Sequence, residues 1–65
     1  MKIAEFEYLI GSNPEVARIE LESQGLELRV VSIDGVGLPG TMDCNNKRVN
    51  VFVVDGAISS IYGIG

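Results

Sequence analysis

The sequence contains no histidine and only one cysteine among its 65 residues. Without histidine the chain lacks the base of Ser-His and Cys-His nucleophilic pairs and the commonest metal ligand in proteins. The single cysteine, Cys44, cannot form a disulfide within the chain, so packing alone must hold the fold, as is usual in a reducing cell. We therefore expect no enzyme, no catalytic residue, no metal site and no cofactor, and a cytoplasmic location is favoured.

Basic residues and long apolar runs are also scarce. The five lysines and arginines are scattered along a chain with a formal net charge of −4, so no basic stripe attracts phosphate groups and nucleic acid is not an expected partner. No apolar run approaches the roughly 20 residues of a membrane span, and acids stand where a signal peptide would be hydrophobic. The expectation is a monomer with no membrane contact.

The chain is short enough to form one domain, residues 1–65, with a thin core. The residues from Gly35 to Gly40 spell G-x-G-x-x-G, the fingerprint of dinucleotide-binding folds. That fingerprint needs a helix directly after its glycines, whereas the next patterned segment is the alternating, strand-like run RVNVFVV. We therefore set the nucleotide interpretation aside.

Helix and strand signals predict an α+β fold. Asn13 before Pro14 is typical of a helix start and Gly25 of a helix end, so a single helix is expected near Asn13 to Gln24. Alternating apolar residues then predict strands over Leu26 to Ile33 and Arg48 to Val54, and a tight Asp-Gly turn leads from the second into a short final strand. The helix should pack on this small mixed sheet.

A long loop, Gly35 to Lys47, connects the two main strands. A connection of this length allows the strands to run parallel, which we expect here. Loops longer than about 12 residues in compact domains tend to be functional or disordered. Within the loop Cys44 has no base to activate it, and the turn and loop aspartates Asp34, Asp43 and Asp55 lack the spacing of a calcium loop. The loop is therefore best explained as an extended peptide presented to a partner.

One segment resembles a known family. The run from Thr41 to Val53, TMDCNNKRVNVFV, is similar without gaps to the reactive-site segment of the potato inhibitor I family of serine-protease inhibitors, which includes the eglins. The positions that fit the family pattern are Thr41, Met42, Asp43, Arg48, Val49, Val51 and Phe52. LIGSNPEVA is similar to the family's entry into its helix, and Gly37 and Gly65 also fall at family glycines, so the resemblance covers roughly the whole chain.

This resemblance implies inhibition of subtilisin-like or chymotrypsin-like serine proteases by a substrate-like loop. The scissile bond would join Met42 to Asp43, with the Met42 side chain in the primary specificity pocket of the protease. Religation would compete with hydrolysis because a rigid scaffold keeps the leaving amine beside the acyl-enzyme. The further residues implied to contact the protease are Leu38, Pro39, Gly40, Thr41, Cys44 and Asn45.

The resemblance also implies support of the loop from the strand that follows it. In the family, two arginines on that strand hydrogen-bond to the residues that flank the scissile bond, so Arg48 would hold Thr41 and Asp43. Asn50, on the same face as Arg48, stands where the family has its second arginine. We expect the loop to be held less firmly as a result, with resistance to proteolysis weakened.

Two alternatives remain open. The chain can be a non-inhibitory protein-binding module that keeps this fold and uses a strand edge or its acidic surface, and the asparagine at position 50 favours that interpretation. It can also be a chain that folds only with a partner, since its core is thin. For single residues, the plain interpretations are an exposed loop methionine at Met42 and a solvated charge at Arg48.

Overall fold

The computed structural model describes residues 2–40 and 45–65 of the chain. Its elements, in chain order, are a 3-10 helix (Ile3–Leu9), α1 (Pro14–Ser23), β1 (Glu27–Ile33), β2 (Val36–Gly37), β3 (Arg48–Val54) and β4 (Ala57–Ile64). The strands form one sheet in the order β2-β1-β3-β4. The expected α+β class is confirmed as two helices with a four-stranded mixed sheet. No helix among the described residues is both long enough and apolar enough to cross a membrane.

Helix α1 begins and ends at the signals found in the sequence. The side chain of Asn13 accepts hydrogen bonds from the backbone N–H groups of Glu15 (2.8 Å) and Val16 (3.4 Å), and Pro14 occupies the first helical position. These bonds satisfy donors that have no partner within the helix. Gly25 follows the helix with φ +78°, a left-handed conformation that a glycine adopts without strain.

The N-terminal 3-10 helix corrects the expectation of a single helix. Its buried residues, Phe6 and Leu9, are three apart and therefore lie on one face of a helix with three residues per turn. The chain that follows is held against β4, because Gly11 N–H donates to the carbonyl of Ile58 (2.7 Å) and Ile58 N–H donates to the carbonyl of Ser12 (2.9 Å). This segment completes one side of the core.

The two main strands, β1 and β3, pair in parallel, as the long loop between them led us to expect. Strand β4 pairs antiparallel with β3 through a turn at Asp55 and Gly56, both with positive φ (52° and 76°), as in a type I′ hairpin. At eight residues β4 is longer than the short final strand predicted. The beginning of the long loop is also regular, since β2 pairs antiparallel with the end of β1.

The core lies between the helices and one face of the sheet. Alternation along β3 directs Val49, Val51 and Val53 into it, and therefore turns Arg48 and Asn50 to the opposite face. Its buried apolar residues are Phe6, Leu9, Ala17, Leu21, Val49, Val51, Val53 and Ile58. The helices thus cover one face of the sheet. The opposite face carries Arg48 and Asn50, and also Phe52, whose ring packs edge-on against that of Tyr62.

Candidate functional site

Four polar side chains lie together where β1 and β3 begin. In the parallel register Glu27 is the partner of Arg48, and Arg29 is the partner of Asn50. Residues two apart on a strand share a face, so all four lie on the face opposite the core. We call this group, Glu27, Arg29, Arg48 and Asn50, the polar platform. The described parts of the long loop meet it at both ends.

Arg48 is buried within the polar platform, with 7% of its surface exposed. Its Nε donates to Oε2 of Glu27 over 2.6 Å, a charge-assisted hydrogen bond of the strong kind. Burial of a cation is costly unless it is paired, and Glu27 supplies the compensating charge. The interpretation of Arg48 as a solvated charge at the start of a strand is therefore wrong.

Asn45 fastens the end of the long loop to β1. Its Nδ2 donates to Oε2 of Glu27 (3.3 Å), and its Oδ1 accepts from the backbone N–H of Lys47 (2.9 Å). The backbone closes the same turn, because Arg48 N–H donates to the Asn45 carbonyl (3.1 Å) and Glu27 N–H donates to the Lys47 carbonyl (2.9 Å). Asn45, expected to contact the protease, thus also anchors the loop.

Asn50 connects β3 to β4. Its Nδ2 donates to the carbonyl oxygens of Gly63 (3.2 Å) and Gly65 (3.0 Å), and only 5% of the residue is exposed. Its Oδ1 is buried and accepts no hydrogen bond from the residues that the structure describes. Among those residues, the side-chain hydrogen bonds of Asn50 therefore lead to Gly63 in β4 and to Gly65 after it, and none leads to the long loop.

The first half of the long loop is anchored differently. Leu38 N–H donates to the carbonyl of Val31 on β1 (2.8 Å), which extends the pairing beyond β2. Leu38, Pro39 and Gly40 are nonetheless exposed. The guanidinium of Arg29 lies against Gly40, in the space that a Cβ of that residue would occupy. The loop is thus in contact with the polar platform before its central residues as well as after them.

The central residues of the loop, Thr41, Met42, Asp43 and Cys44, lie outside the described residues. The proposed scissile bond and the expected bonds from Arg48 to Thr41 and Asp43 fall there. Across residues 2–40 and 45–65 there is no pocket, and no group of three or more His, Cys, Asp or Glu side chains is placed to hold a metal ion.

Two platform residues, Glu27 and Arg29, were not singled out from the sequence. Their alternation with Leu28 and Val30 already put them on the polar face of β1. Their partners on β3 depended on the register of two parallel strands, which alternation does not fix. The sequence thus indicated that Glu27 and Arg29 lie on the polar face of β1, but not which residues they contact.

Comparison of the chain with protein-family models, with curated proteins and with solved structures finds no match in any of the three.

Proposed function

We propose that the protein is a serine-protease inhibitor whose long loop, Gly35 to Lys47, enters the cleft of a subtilisin-like or chymotrypsin-like enzyme as a substrate would. The scaffold is α1 packed on the mixed sheet, and the binding loop joins the parallel strands β1 and β3. The observation that carries the proposal is that both ends of an exposed loop contact one cluster of polar side chains, the polar platform. The reactive bond in this proposal joins Met42 to Asp43.

Anchoring at both ends is what an inhibitory loop needs. A loop that is already ordered avoids a cost of about 0.5–1.5 kcal/mol for each side chain immobilised on binding. Asn45 is fastened to Glu27 on one side of the central residues, and Leu38 to Val31 on the other. Only the six residues between Leu38 and Asn45 separate these anchors.

Exposure of the loop supports the proposal in a second way. Leu38, with 40% of its surface exposed, and the neighbouring Pro39 and Gly40 offer an apolar, accessible edge immediately before Thr41. A substrate-like segment must be accessible from outside, because the protease supplies the cleft. Such a partner requires no pocket in this protein and no cofactor.

Titration of active proteases with the purified protein tests the proposal. We expect stoichiometric inhibition of a subtilisin-like or a chymotrypsin-like protease and none of trypsin, whose primary pocket holds a carboxylate that selects basic side chains. Mass spectrometry during the incubation should find a single slow cut between Met42 and Asp43. Rapid cutting at this bond without inhibition, or no inhibition of either class of enzyme, would contradict the proposal.

A non-inhibitory protein-binding module with the same fold is the second candidate. The observation in its favour is that the amide of Asn50 binds the carbonyls of Gly63 and Gly65 and not the described part of the loop. That arrangement removes one platform side chain from loop support. Binding of the intact protein to a catalytically inactivated protease, measured by calorimetry, separates the candidates, since only an inhibitor occupies the cleft.

A further inference from the structure

We infer that Arg29 is a positioning residue of the long loop, which acts by packing its guanidinium group into the space left by the missing side chain of Gly40. The inference rests on the proposed function for the use of the loop, but the packing of Arg29 against Gly40 is present in the free protein and can be tested there. Arg29 packs against the backbone at Gly40, the last described residue before the central part of the loop.

The contact between Arg29 and Gly40 is close. A Cβ built on Gly40 would overlap Nη2 of Arg29 and would lie 2.9 Å from its Cζ and 3.3 Å from its Nη1. Nη2 therefore lies in the volume that a Cβ at residue 40 would take, and Cζ and Nη1 lie close beside that volume. Around Gly35 and Gly37, by contrast, a Cβ would meet nothing within 4 Å.

Space, and not backbone conformation, explains the glycine at position 40. Gly35, with φ +83°, needs a residue that tolerates a left-handed conformation, whereas Gly40 is not among the residues with positive φ. An alanine at position 40 is thus compatible with a backbone of negative φ, but it requires the guanidinium of Arg29 to move from its position in this structure.

Arg29 is well placed for this role. It is half-buried on β1, opposite Asn50, whose amide is committed to the carbonyls of Gly63 and Gly65. A guanidinium is planar and rigid, so it fills a flat space that a lysine ammonium on a flexible stem does not. With Glu27 holding Asn45, the platform then supports the loop on both sides of residues 41–44.

A double-mutant cycle on the free protein tests the inference without any protease. Removal of a glycine at a compatible position ordinarily restricts the chain. If Arg29 packs against Gly40, however, Gly40→Ala displaces the guanidinium from this position and should loosen the loop. We expect Arg29→Ala and Gly40→Ala each to speed amide hydrogen exchange at Leu38 and at residues 40–45 by about three- to tenfold. In the Arg29→Ala background, Gly40→Ala should instead slow that exchange, and this reversal of sign measures the coupling.

Two further variants distinguish packing from charge. Arg29→Lys keeps the charge and should resemble Arg29→Ala in loop exchange. Arg18→Ala removes the same charge from the exposed face of α1, where Arg18 pairs with Glu15 and Glu22, and should leave loop exchange unchanged. Three results would each overturn the inference. The first two are loop amide exchange at the rate of the parent protein in Arg29→Ala or in Arg29→Lys. The third is slower loop exchange on Gly40→Ala both in the parent and in the Arg29→Ala background.

Inhibition measured on the same proteins keeps the two proposals apart. If the parent protein inhibits no serine protease but Arg29→Ala speeds loop exchange, the positioning role is supported and the proposed function is rejected. If the parent protein inhibits a serine protease, and Arg29→Ala changes neither loop exchange nor the rate at which the protease cuts the loop, the proposed function is supported and the role of Arg29 is rejected. A urea titration of each variant guards against a general loss of stability, because exchange that rises equally throughout the sheet would also overturn the inference.

Discussion

Arg48 and Glu27, 21 residues apart in the chain, meet over 2.6 Å between Nε and Oε2 at the start of the two parallel strands. The same carboxylate oxygen also accepts a hydrogen bond from Nδ2 of Asn45. One side chain of β1 therefore compensates a buried charge and holds the end of the long loop. Stability of the sheet and order of the loop are thereby linked through Glu27.

The first prediction concerns that link. Glu27→Gln removes the charge opposite Nε of Arg48 and should lower the free energy of unfolding by about 1–3 kcal/mol, because a charge-assisted hydrogen bond to a buried guanidinium is replaced by a neutral one. Urea denaturation followed by circular dichroism measures the change. Glu20→Gln, which makes the same substitution on the exposed side of α1, serves as the control. Equal urea midpoints for the two variants would show that the pair contributes nothing.

The cap of α1 supplies the second prediction. Asn13→Ala leaves the N–H groups of Glu15 and Val16 without their acceptor and should cost about 0.5–2 kcal/mol of stability, whereas Asn13→Gly should cost only about a few tenths. Thermal unfolding of both variants makes the comparison. If glycine destabilises as much as alanine, the side-chain cap is not the cause.

The third prediction tests the 3-10 helix as part of the core. Leu9 is 1% exposed, so Leu9→Ala should cost about 2–5 kcal/mol. A domain of this length has a total stability of only about 3–10 kcal/mol, at roughly 0.05–0.15 kcal/mol per residue, so the variant should be largely unfolded in mild urea. Ile10→Ala, at a neighbouring position that is 46% exposed, should retain the urea midpoint of the parent. Similar midpoints for the two would place Leu9 outside the cooperative core.

Local signals were sufficient to predict α1, β1, β3 and the presence of a final strand, but not β2, which lies within the predicted loop. The capping asparagine and proline act within one turn of the helix, and the Asp55-Gly56 turn is set by the conformations of its own two residues. The 3-10 helix was missed because only Phe6 and Leu9 are buried in it, and two residues three apart make no recognisable pattern. Its existence depends on a core to pack against.

The candidate site was less predictable for a related reason. The contact of Glu27 with Arg48 joins residues that are distant in the chain and requires the register of β1 against β3. The contact of Arg29 with Gly40 requires the pairing of β2 and Leu38 with β1, which brings the start of the long loop back along that strand. The register of β1 against β3 changes within the strands, at the irregularity between Val30 and Ser32. Alternating hydrophobicity predicts on which face of the sheet a side chain lies, but not which residue of a neighbouring segment it contacts. The pattern of a single strand therefore cannot predict these contacts.

The fourth prediction tests the reactive bond. If Met42 fills the primary specificity pocket, Met42→Lys should weaken inhibition of chymotrypsin-like enzymes by at least about tenfold and create inhibition of trypsin, because the acidic pocket of trypsin accepts a lysine. Inhibition constants against both enzymes measure the shift. Leu38→Lys makes a comparable change at an exposed loop position four residues earlier and should leave trypsin uninhibited. If Leu38→Lys switches the selectivity and Met42→Lys does not, the reactive bond lies elsewhere in the loop.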